Sequence, residues 1–256
     1  MSIALTILGS GTSHGIPMIG CDCDVCMSDD PRDQRTRCSV IFHVDDKNVL
    51  IDTAPELRLQ CLACNIRDVH AVCYTHHHAD HVTGLDDLRR FNWLLGGPLP
   101  VYASRETIAH LTRMFTYAFA ENRDYPSAIP TLHAHEISGP FEFCGRTITP
   151  IRYLHGKLPV LGFRIGRIAY LPDCSEIPEE SLRHLHGLDV LVLDALRRRP
   201  HPTHFNLEQA IAMAEKIDAD RTFFTHIAHE LGHEATNREL PAGMQLAFDG
   251  LVIEES

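Results

Sequence analysis

The protein has 256 residues, of which 44% are apolar and 22% are charged, and this composition excludes a disordered, collagen-like or coiled-coil chain. A net charge of −11 at pH 7 disfavours general binding to nucleic acid. No apolar stretch reaches the roughly 18 to 20 residues that cross a bilayer, so we expect no membrane partner. The length suits a single α/β domain over residues 1–256.

Apolar alternation and helical periodicity predict the elements in chain order. The first half is predicted to hold strands at residues 4–8, 40–44, 49–51 and 71–74 and helices at residues 56–64, 83–94 and 104–118. The second half is predicted to hold strands at residues 147–153, 160–165, 168–171, 190–193 and 222–224, a helix at residues 207–217 and a closing hairpin around residues 248–250. Because the apolar start is short and lacks a basic flank, we expect a first strand of a cytoplasmic protein there.

Two short polar patterns each follow a predicted strand at two places in the chain. Asp52 and Asp194 each follow an apolar strand, and a Thr-His pair follows two others, which gives His76 and His226. Sites in layered α/β folds usually lie at the carboxyl ends of strands. The repeated pattern therefore predicts two halves built alike, with a site at these strand ends.

The clearest chemical motif is H-x-H-x-D-H at residues 76–81, directly after a predicted strand. His76 and His78 alternate in an extended turn and can face one metal ion, whereas Asp80 and His81, where the chain enters a helix, can face a second ion nearby. We expect the side chain of His77 to point away from both. Four metal-binding side chains behind a buried strand favour a metal centre over a polar surface loop.

The cysteine content is the second unusual feature of the sequence. The chain has nine cysteines, and this odd number favours thiolate ligation and buried thiols over a disulfide framework. Cys21, Cys23 and Cys26 lie within six residues in a C-x-C-x-x-C cluster. Three thiols at this spacing can converge on one tetrahedral zinc ion, which then needs a fourth ligand, such as a histidine, from elsewhere. The sequence thus predicts a zinc-binding loop near the N-terminus.

The H-x-H-x-D-H motif resembles that of the metallo-β-lactamase superfamily, whose αββα sandwich holds two metal ions in loops at strand ends. In that family, later His, Asp and His residues complete the site, and the matching positions here follow predicted strands. The implied metal ligands are His76, His78, His155, Asp173, Asp80, His81 and His226. The resemblance implies that Asp173 bridges two divalent ions, and mixed nitrogen and oxygen ligation suits Mn²⁺ or Zn²⁺ equally.

The cysteine cluster resembles that of the PhnP-like phosphoribosyl cyclic phosphodiesterases of phosphonate catabolism, a branch of the same superfamily. The resemblance implies a structural zinc ion, and its ligands are Cys21, Cys23, Cys26 and His229. It also implies that His204, just before a predicted helix, acts near the leaving oxygen, with His201 as the alternative. Asp52 is interpreted either as the hydrogen-bond partner of a ligand histidine or as a turn cap.

The resemblance further implies a dinuclear phosphodiesterase that acts on a small phosphorylated molecule, a phosphoribosyl 1,2-cyclic phosphate. Asp80 would orient the attacking hydroxide in this enzyme. Arginines beside the cysteine cluster and shortly before His204 are candidates for holding phosphate groups. These candidates are Arg32, Arg35, Arg37 and Arg197.

Three alternative functions stay open at this point. A tRNA 3′-processing nuclease of the same superfamily would need a basic surface, and the net charge of −11 argues against one. A hydrolase of thioesters or lactams would use the same ligands on a carbonyl carbon. A non-catalytic zinc protein of cofactor biosynthesis would have an incomplete ligand set, whereas all seven ligands are present. The oligomeric state is also open, and a homodimer is compatible with the sequence.

Overall fold

A computed structural model describes residues 3–120 and 128–255 of the chain. In chain order its strands are β1 (Ile3–Gly9), β2 (Ser39–Val44), β3 (Lys47–Ile51), β4 (Ala71–Cys73), β5 (Leu99–Ala103), β6 (Leu132–Glu136), β7 (Phe141–Phe143), β8 (Arg146–His155), β9 (Leu158–Ile165), β10 (Ile168–Leu171), β11 (Val190–Asp194), β12 (Arg221–Thr225), β13 (Met244–Leu246) and β14 (Val252–Glu254). Its α-helices are α1 (Leu57–Ala63), α2 (Ala79–Val82), α3 (Arg89–Leu95), α4 (Arg105–Met114), α5 (Glu179–Leu182), α6 (Leu207–Ile217) and α7 (His233–Asn237). Among the described residues, no helix combines the length and the apolar composition of a membrane span.

The strands form two seven-stranded sheets. The first has the order β14-β1-β2-β3-β4-β5-β6, and the second has the order β13-β12-β11-β10-β9-β8-β7. Strands β3 to β6 run parallel to one another, and so do β10 to β13. The carboxyl ends of the parallel strands therefore share one edge in each sheet, and that edge carries the site.

Alternate residues of the strands explain how the layers stack. In β11, Val190 and Val192 belong to a buried cluster shared by both sheets, whereas Leu191 and Leu193 belong to a cluster shared with α6. A third cluster covers the outer face of the first sheet with α1, α3 and α4. Both faces of each sheet are thus covered, which is why β11 is apolar along nearly its whole length. The predicted αββα sandwich is confirmed.

Helix α6 has the bounds that the sequence predicts, because its first turn carries a clear start signal. The Asn206 side chain accepts a hydrogen bond from the backbone N of Gln209, and the Gln209 side chain accepts one from the backbone N of Asn206. This reciprocal pair is a capping box. It fixes the start of the helix directly after the loop that carries His204.

The closing hairpin predicted around residues 248–250 is wrong. Strand β13 pairs with β12 in the second sheet, and β14 pairs with β1 in the first, so the intervening residues cross between the sheets. The carboxylate of Asp249 holds this crossing, because it accepts hydrogen bonds from the backbone and hydroxyl groups of Ser10 and Thr36. A turn-like sequence does not reveal which strands its flanks will pair with.

Candidate metal centres and active site

The predicted ligands gather at one edge of the sandwich because each of them follows or ends a strand. His76 follows β4, His155 is the last residue of β8, Asp173 follows β10 and His226 follows β12. These strands belong to both sheets. The side chains therefore meet where the strand ends of the two sheets come together.

The first cluster combines three histidines with one aspartate. His76, His78, His155 and Asp173 each offer one ligand atom, and these atoms lie within 4.8 Å of one another. The Nε2 atom of His76 is 2.9 Å from Nδ1 of His78. The Oδ2 atom of Asp173 is 3.8 Å from Nε2 of His76 and 3.9 Å from Nε2 of His155. Imidazole nitrogens with a carboxylate oxygen suit Zn²⁺ or Mn²⁺.

The second cluster shares Asp173 with the first and adds Asp80, His81 and His226. The Oδ1 atom of Asp173 is 3.1 Å from Nε2 of His81 and 3.3 Å from Nε2 of His226. The Oδ2 atom of Asp80 is 3.5 Å and 3.7 Å from the same two nitrogens. The two oxygens of Asp173 thus face different clusters, as the oxygens of a bridging carboxylate do.

Buried polar atoms without partners show that the second cluster fits a cation. Within the described part of the chain, Nε2 of His81, Oδ1 of Asp173 and Nε2 of His226 are buried and have no hydrogen-bond partner. Such atoms are rare in native proteins, because leaving them unpaired costs free energy. A divalent cation between them would satisfy all three, so these residues fit the ions that the fold family implies.

Burial controls the protonation of the ligand side chains. It lowers the pKa of His155 to about 4 and holds the pKa of His76 well below its usual range. Both rings are therefore neutral near pH 7, which is the form that binds a metal. Burial raises the pKa of Asp173, but His226 and His81 outweigh this effect and hold that pKa well below its usual range. The carboxyl group of Asp173 is therefore ionised.

Asp52 contacts the ring nitrogen of His81 that points away from the second cluster. Its Oδ2 atom is 2.7 Å from Nδ1 of His81, and its carboxylate also accepts hydrogen bonds from the backbone N and the hydroxyl of Thr75. Of the two interpretations from the sequence, the structure shows the contact with a ligand histidine. Asp52 and His226 both have positive φ angles, of 63° and 59°. Such strained non-glycine residues cluster at functional sites.

We expect Asp52→Ala to weaken binding of the second-cluster ion by about 10- to 100-fold, because His81 loses the carboxylate that fixes its ring and tautomer. Isothermal titration calorimetry of the apoprotein with metal measures this affinity. The exposed acid Asp46 provides the matched control, and Asp46→Ala should bind like the parent. Equal affinities for the parent and Asp52→Ala would contradict the orienting role.

The three thiols of the N-terminal loop converge on one imidazole. The Nδ1 atom of His229 is 3.2 Å from Sγ of Cys21, 3.4 Å from Sγ of Cys23 and 3.8 Å from Sγ of Cys26. Ligand atoms on a tetrahedral zinc ion lie about 3.5 Å apart. A backbone hydrogen bond from Cys26 lowers the pKa of Cys23 to about 7, which favours the thiolate that zinc binds. The four side chains thus fit a closed structural zinc site.

The loop that carries the three cysteines is tied to the candidate active site through residues 226–229. His226, at one end of this segment, belongs to the second cluster, and His229, at the other end, belongs to the cysteine set. Between them, the backbone N of Ile227 donates to Ser10 O, and the backbone N of Thr12 donates to Ile227 O. The loop that precedes the cysteines is therefore fastened beside a candidate active-site ligand.

We expect Cys23→Ser to lower the Tm by about 4 to 8 °C, which corresponds to a loss of about 2 kcal/mol in a domain of this size. The reason is that a zinc ion bound only by the folded state stabilises that state. Cys144→Ser, at an exposed thiol outside the cluster, is the control. Thermal unfolding is measured together with zinc content, and zinc loss at an unchanged Tm would show that the site is not structural.

His204 lies against the candidate metal ligands. Its Nδ1 atom is 2.8 Å from Oδ2 of Asp194. Its ring stacks on that of His226 with the centroids 4.7 Å apart, and it meets the edge of His155 at 4.5 Å. His201 lies behind it, with ring centroids 5.1 Å apart. Of the two histidines considered from the sequence, His204 is therefore the one beside the two clusters.

Asp194 is a residue whose role the sequence analysis did not assign. It ends β11, is fully buried, and accepts a hydrogen bond from the backbone N of Cys174. Its other oxygen is 3.9 Å from Nδ1 of His226. Asp194 thus holds His204 much as Asp52 holds His81, so a strand-end aspartate orients a histidine in each half. The repeated aspartate at strand ends is the sequence signal that points to this role.

A cleft of about 280 Å³ opens between His204 and the N-terminal loop that leads to the cysteines. Its walls include His14 from the N-terminal loop, Arg197 and His201 from the loop before α6, and His229. The guanidinium of Arg197 is held at this wall by hydrogen bonds to backbone carbonyls of its own loop. A small anionic molecule in the cleft would contact both His204 and Arg197.

The other arginines predicted to contact substrate have structural partners. The prediction is wrong for Arg35, because its side chain is fully buried and bonds to Asp33 and to a backbone carbonyl, each at 2.9 Å. Arg32 and Arg37 form ion pairs with glutamates and do not line the cleft. The structure therefore brings only Arg197 of the four to the candidate site.

The fold and the two ligand clusters correspond to a known family. A model of the beta-lactamase superfamily domain matches residues 47–227. The chain therefore belongs to the metallo-β-lactamase superfamily. A solved structure of a diphosphatase from the PhnP family matches with a TM-score of 0.93 and 47% sequence identity over 99% of this chain and 97% of that one. The chain lies in this PhnP-like branch.

Two further proteins are similar to this chain. An octanoyltransferase of Porphyromonas gingivalis is 38% identical over 256 residues, which cover 97% of this chain but 51% of that protein. The chain therefore spans about half the length of this relative. The structure of Zn²⁺-bound PqqB from Methylobacterium extorquens shares the fold, with a TM-score of 0.80 and 22% identity over 98% of this chain and 99% of that one.

Proposed function

We propose that the protein is a phosphodiesterase that hydrolyses a small cyclic phosphate, specifically a phosphoribosyl 1,2-cyclic phosphate. The observation that carries the proposal is the position of Asp173 between two ligand clusters, next to the pair of Asp194 and His204. Two cations beside a proton donor suit displacement of a poor leaving group from phosphorus. The 47% identity with a PhnP-family diphosphatase supports chemistry at phosphorus.

The first cluster would hold one divalent ion and the second cluster another, Mn²⁺ or Zn²⁺ in each case, while the cysteine set would hold a structural Zn²⁺. When bound, the pair of ions supplies Lewis acidity that lowers the pKa of water and offsets the charge of the phosphoryl oxygens. Asp173 contributes the negative charge that lets two cations lie close together. Asp52 and Thr75 keep His81 in place behind this pair.

Asp80 is proposed to orient the attacking water. Its side chain is 14% exposed, whereas those of His81 and His226 beside it are almost fully buried. The Asp80 carboxylate is thus the member of the second cluster that solvent can reach. It accepts a hydrogen bond from the entering water and directs the oxygen lone pair toward phosphorus, opposite the leaving oxygen.

His204 is proposed to protonate the leaving oxygen. Oδ2 of Asp194 already accepts a hydrogen bond from the backbone N of Cys174, so we take Nδ1 of His204 as a second donor to this oxygen, which leaves Nε2 for the substrate. Burial lowers the pKa of His204, and the negative charges of Asp173 and Asp80 oppose this effect by stabilising the imidazolium form. Proton transfer from Nε2 then avoids release of a strongly basic alkoxide.

Arg197 is proposed to bind the phosphate group of the substrate that does not react. It lines the same cleft as His204. A guanidinium group matches the geometry of two phosphate oxygens. The cleft would therefore select a small molecule that carries a second anionic group, in a protein whose net charge of −11 otherwise repels anions.

The comparisons and the charge do not favour a second function. The name octanoyltransferase belongs to a relative about half of which has no counterpart in this chain. The likeness to PqqB at 22% identity concerns the fold alone. The net charge of −11 argues against binding long RNA. The complete pair of clusters argues against a non-catalytic zinc protein.

Substrate profiling tests the proposal. The metal-loaded protein is assayed on a 5-phosphoribosyl 1,2-cyclic phosphate, on bis-p-nitrophenyl phosphate and on an acyl thioester. We expect the highest kcat/KM on the cyclic phosphate and no thioester hydrolysis above that of the Asp173→Asn variant. Thioester hydrolysis without phosphodiester hydrolysis would show that the centre acts on a carbonyl carbon.

A further inference from the structure

An apolar groove lies between α1 and α3, on the outer side of the first sheet and outside both ligand clusters. Leu57, Cys61 and Phe91 are buried at its floor. Leu62 and Leu94 stand at its rim with 62% and 45% of their surface exposed. The groove has a volume of about 440 Å³, and small-molecule sites measure about 300 to 1,000 Å³. Exposed apolar side chains grouped around a concave surface mark a binding site.

Arginines surround this groove. Arg58, Arg67 and Arg90 line it and form no ion pair with any described residue, while a fourth arginine, Arg89, pairs with an aspartate at 2.8 Å. Asp87 is the one acidic residue in the lining. The local charge is therefore positive on a chain whose net charge is −11. An apolar floor with a cationic rim matches a molecule that has an alkyl chain and an anionic head.

The floor of the groove carries no charge of its own. Burial raises the pKa of Cys61 to about 12, so its thiol stays protonated near neutral pH. The other floor residues are hydrocarbon side chains. An alkyl chain on this floor would therefore meet only neutral atoms, and each buried methylene group would add binding free energy.

We propose that the groove is a binding site for a free, single-chain fatty carboxylate, with the alkyl chain on the apolar floor and the head group at the arginines. The site is separate from the proposed hydrolysis, and neither depends on the other. A second copy of the chain fits less well. A two-fold symmetric contact would pack the groove of one copy against the groove of the other and would bring their arginines together. An anionic membrane surface would be repelled by the net charge of −11.

Fluorescence of Trp93 provides a direct readout, because it is the one tryptophan in the sequence. The guanidinium carbon of Arg90, which lines the groove, is 4.3 Å from the centre of the Trp93 ring. A carboxylate that binds Arg90 will disturb this cation–π contact and change the emission. Titration of the intact, metal-loaded protein with decanoate should therefore give a saturable change.

Chain length and head-group charge test the two halves of the site. Full burial makes each methylene worth about a fourfold gain in affinity, so decanoate should bind at least about tenfold more tightly than hexanoate. Nonyltrimethylammonium has the same alkyl chain as decanoate and a positive head, and it should bind at least about fivefold more weakly than decanoate. Equal binding of both head groups, or no dependence on chain length, would overturn the proposal.

Surface variants test the location without disturbing the core. Leu62→Asp and Arg58→Glu change exposed side chains and should each weaken decanoate binding by about fivefold or more. Arg183→Glu, at an exposed arginine outside the groove, should bind like the parent. Unchanged binding in both groove variants would overturn the assignment. So would a dimer in sedimentation that Leu62→Asp dissociates, or binding to anionic vesicles without saturable binding of monomeric decanoate.

Discussion

Asp173→Asn is expected to lower kcat/KM for phosphodiester hydrolysis by about 10³-fold or more. The amide keeps the shape of the side chain but removes its charge and one of the two oxygens that face the clusters. The proposed pair of metal ions would contribute several kcal/mol of transition-state stabilisation, and several kcal/mol correspond to a rate factor of about 10³. Steady-state kinetics at saturating metal, with circular dichroism to verify folding, measure the effect.

His77→Ala is the matched control for that variant. His77 lies inside the H-x-H-x-D-H motif, but its ring stacks on His110 of α4 with centroids 3.8 Å apart, and it belongs to neither ligand cluster. The predicted orientation away from the metal sites agrees with this contact. We expect activity close to that of the parent. If His77→Ala were as impaired as Asp173→Asn, the loss would reflect the loop as a whole rather than the bridging carboxylate.

His204→Ala should affect substrates according to how basic their leaving group is. On a ribose cyclic phosphate, whose alkoxide needs a proton, we expect a loss of about 10²- to 10⁴-fold, which is the typical contribution of a general acid. On bis-p-nitrophenyl phosphate, whose nitrophenolate leaves without a proton, we expect a much smaller loss. The ratio of the two losses is the quantity to measure.

Two companion variants locate the origin of the His204 effect. Asp194→Asn should also impair hydrolysis of the ribose cyclic phosphate more than that of bis-p-nitrophenyl phosphate, but by a smaller factor than His204→Ala. It removes the side chain that orients the His204 ring and keeps the ring itself. His201→Ala should leave the ratio near that of the parent. Equal losses of His204→Ala on both substrates would indicate positioning or metal binding. A leaving-group effect at His201 alone would identify that residue as the acid.

The positions of most central strands along the chain could be predicted because these strands are buried on both faces. Strand β10 and helix α6 have their predicted bounds, and the bounds of β2, β8 and β12 differ from the predicted ones by at most two residues at each end. Continuous apolar runs such as residues 190–193 stand out in sequence when helices and sheets cover both sides. The same burial places polar residues directly after the runs, so the strand ends could be recognised as well.

Strands at the sheet edges could not be predicted in this way. Strands β6 and β7 each lie at one edge of a sheet, and four of the five residues of β6 are exposed. Strand β5 contains Pro100, which is rare in a strand. These segments are only three to five residues long, so any apolar alternation in them is a weak signal, and their pairing depends on the neighbouring strand. The crossing around Asp249 escaped prediction for the same reason.

Some residues of the candidate site could be predicted from the sequence alone, and others could not. His76 to His81 could be proposed from local spacing, whereas His155, Asp173 and His226 required a family resemblance, because their approach depends on the packing of two sheets. Arg35 illustrates what sequence cannot show. It lies in a charged run typical of a solvated surface, yet its guanidinium is fully buried against Asp33. Only the tertiary structure reveals such a partner.

The most direct test of the two-ion centre bridged by Asp173 is activity as a function of bound metal. Protein that keeps the zinc of its cysteine set is stripped at the other sites and titrated with Mn²⁺ while hydrolysis of the cyclic phosphate is followed. We predict that activity rises until two further equivalents per chain are bound and that Asp173→Asn stays inactive throughout. Full activity at one equivalent, or recovery of Asp173→Asn at saturating Mn²⁺, would contradict a bridged pair.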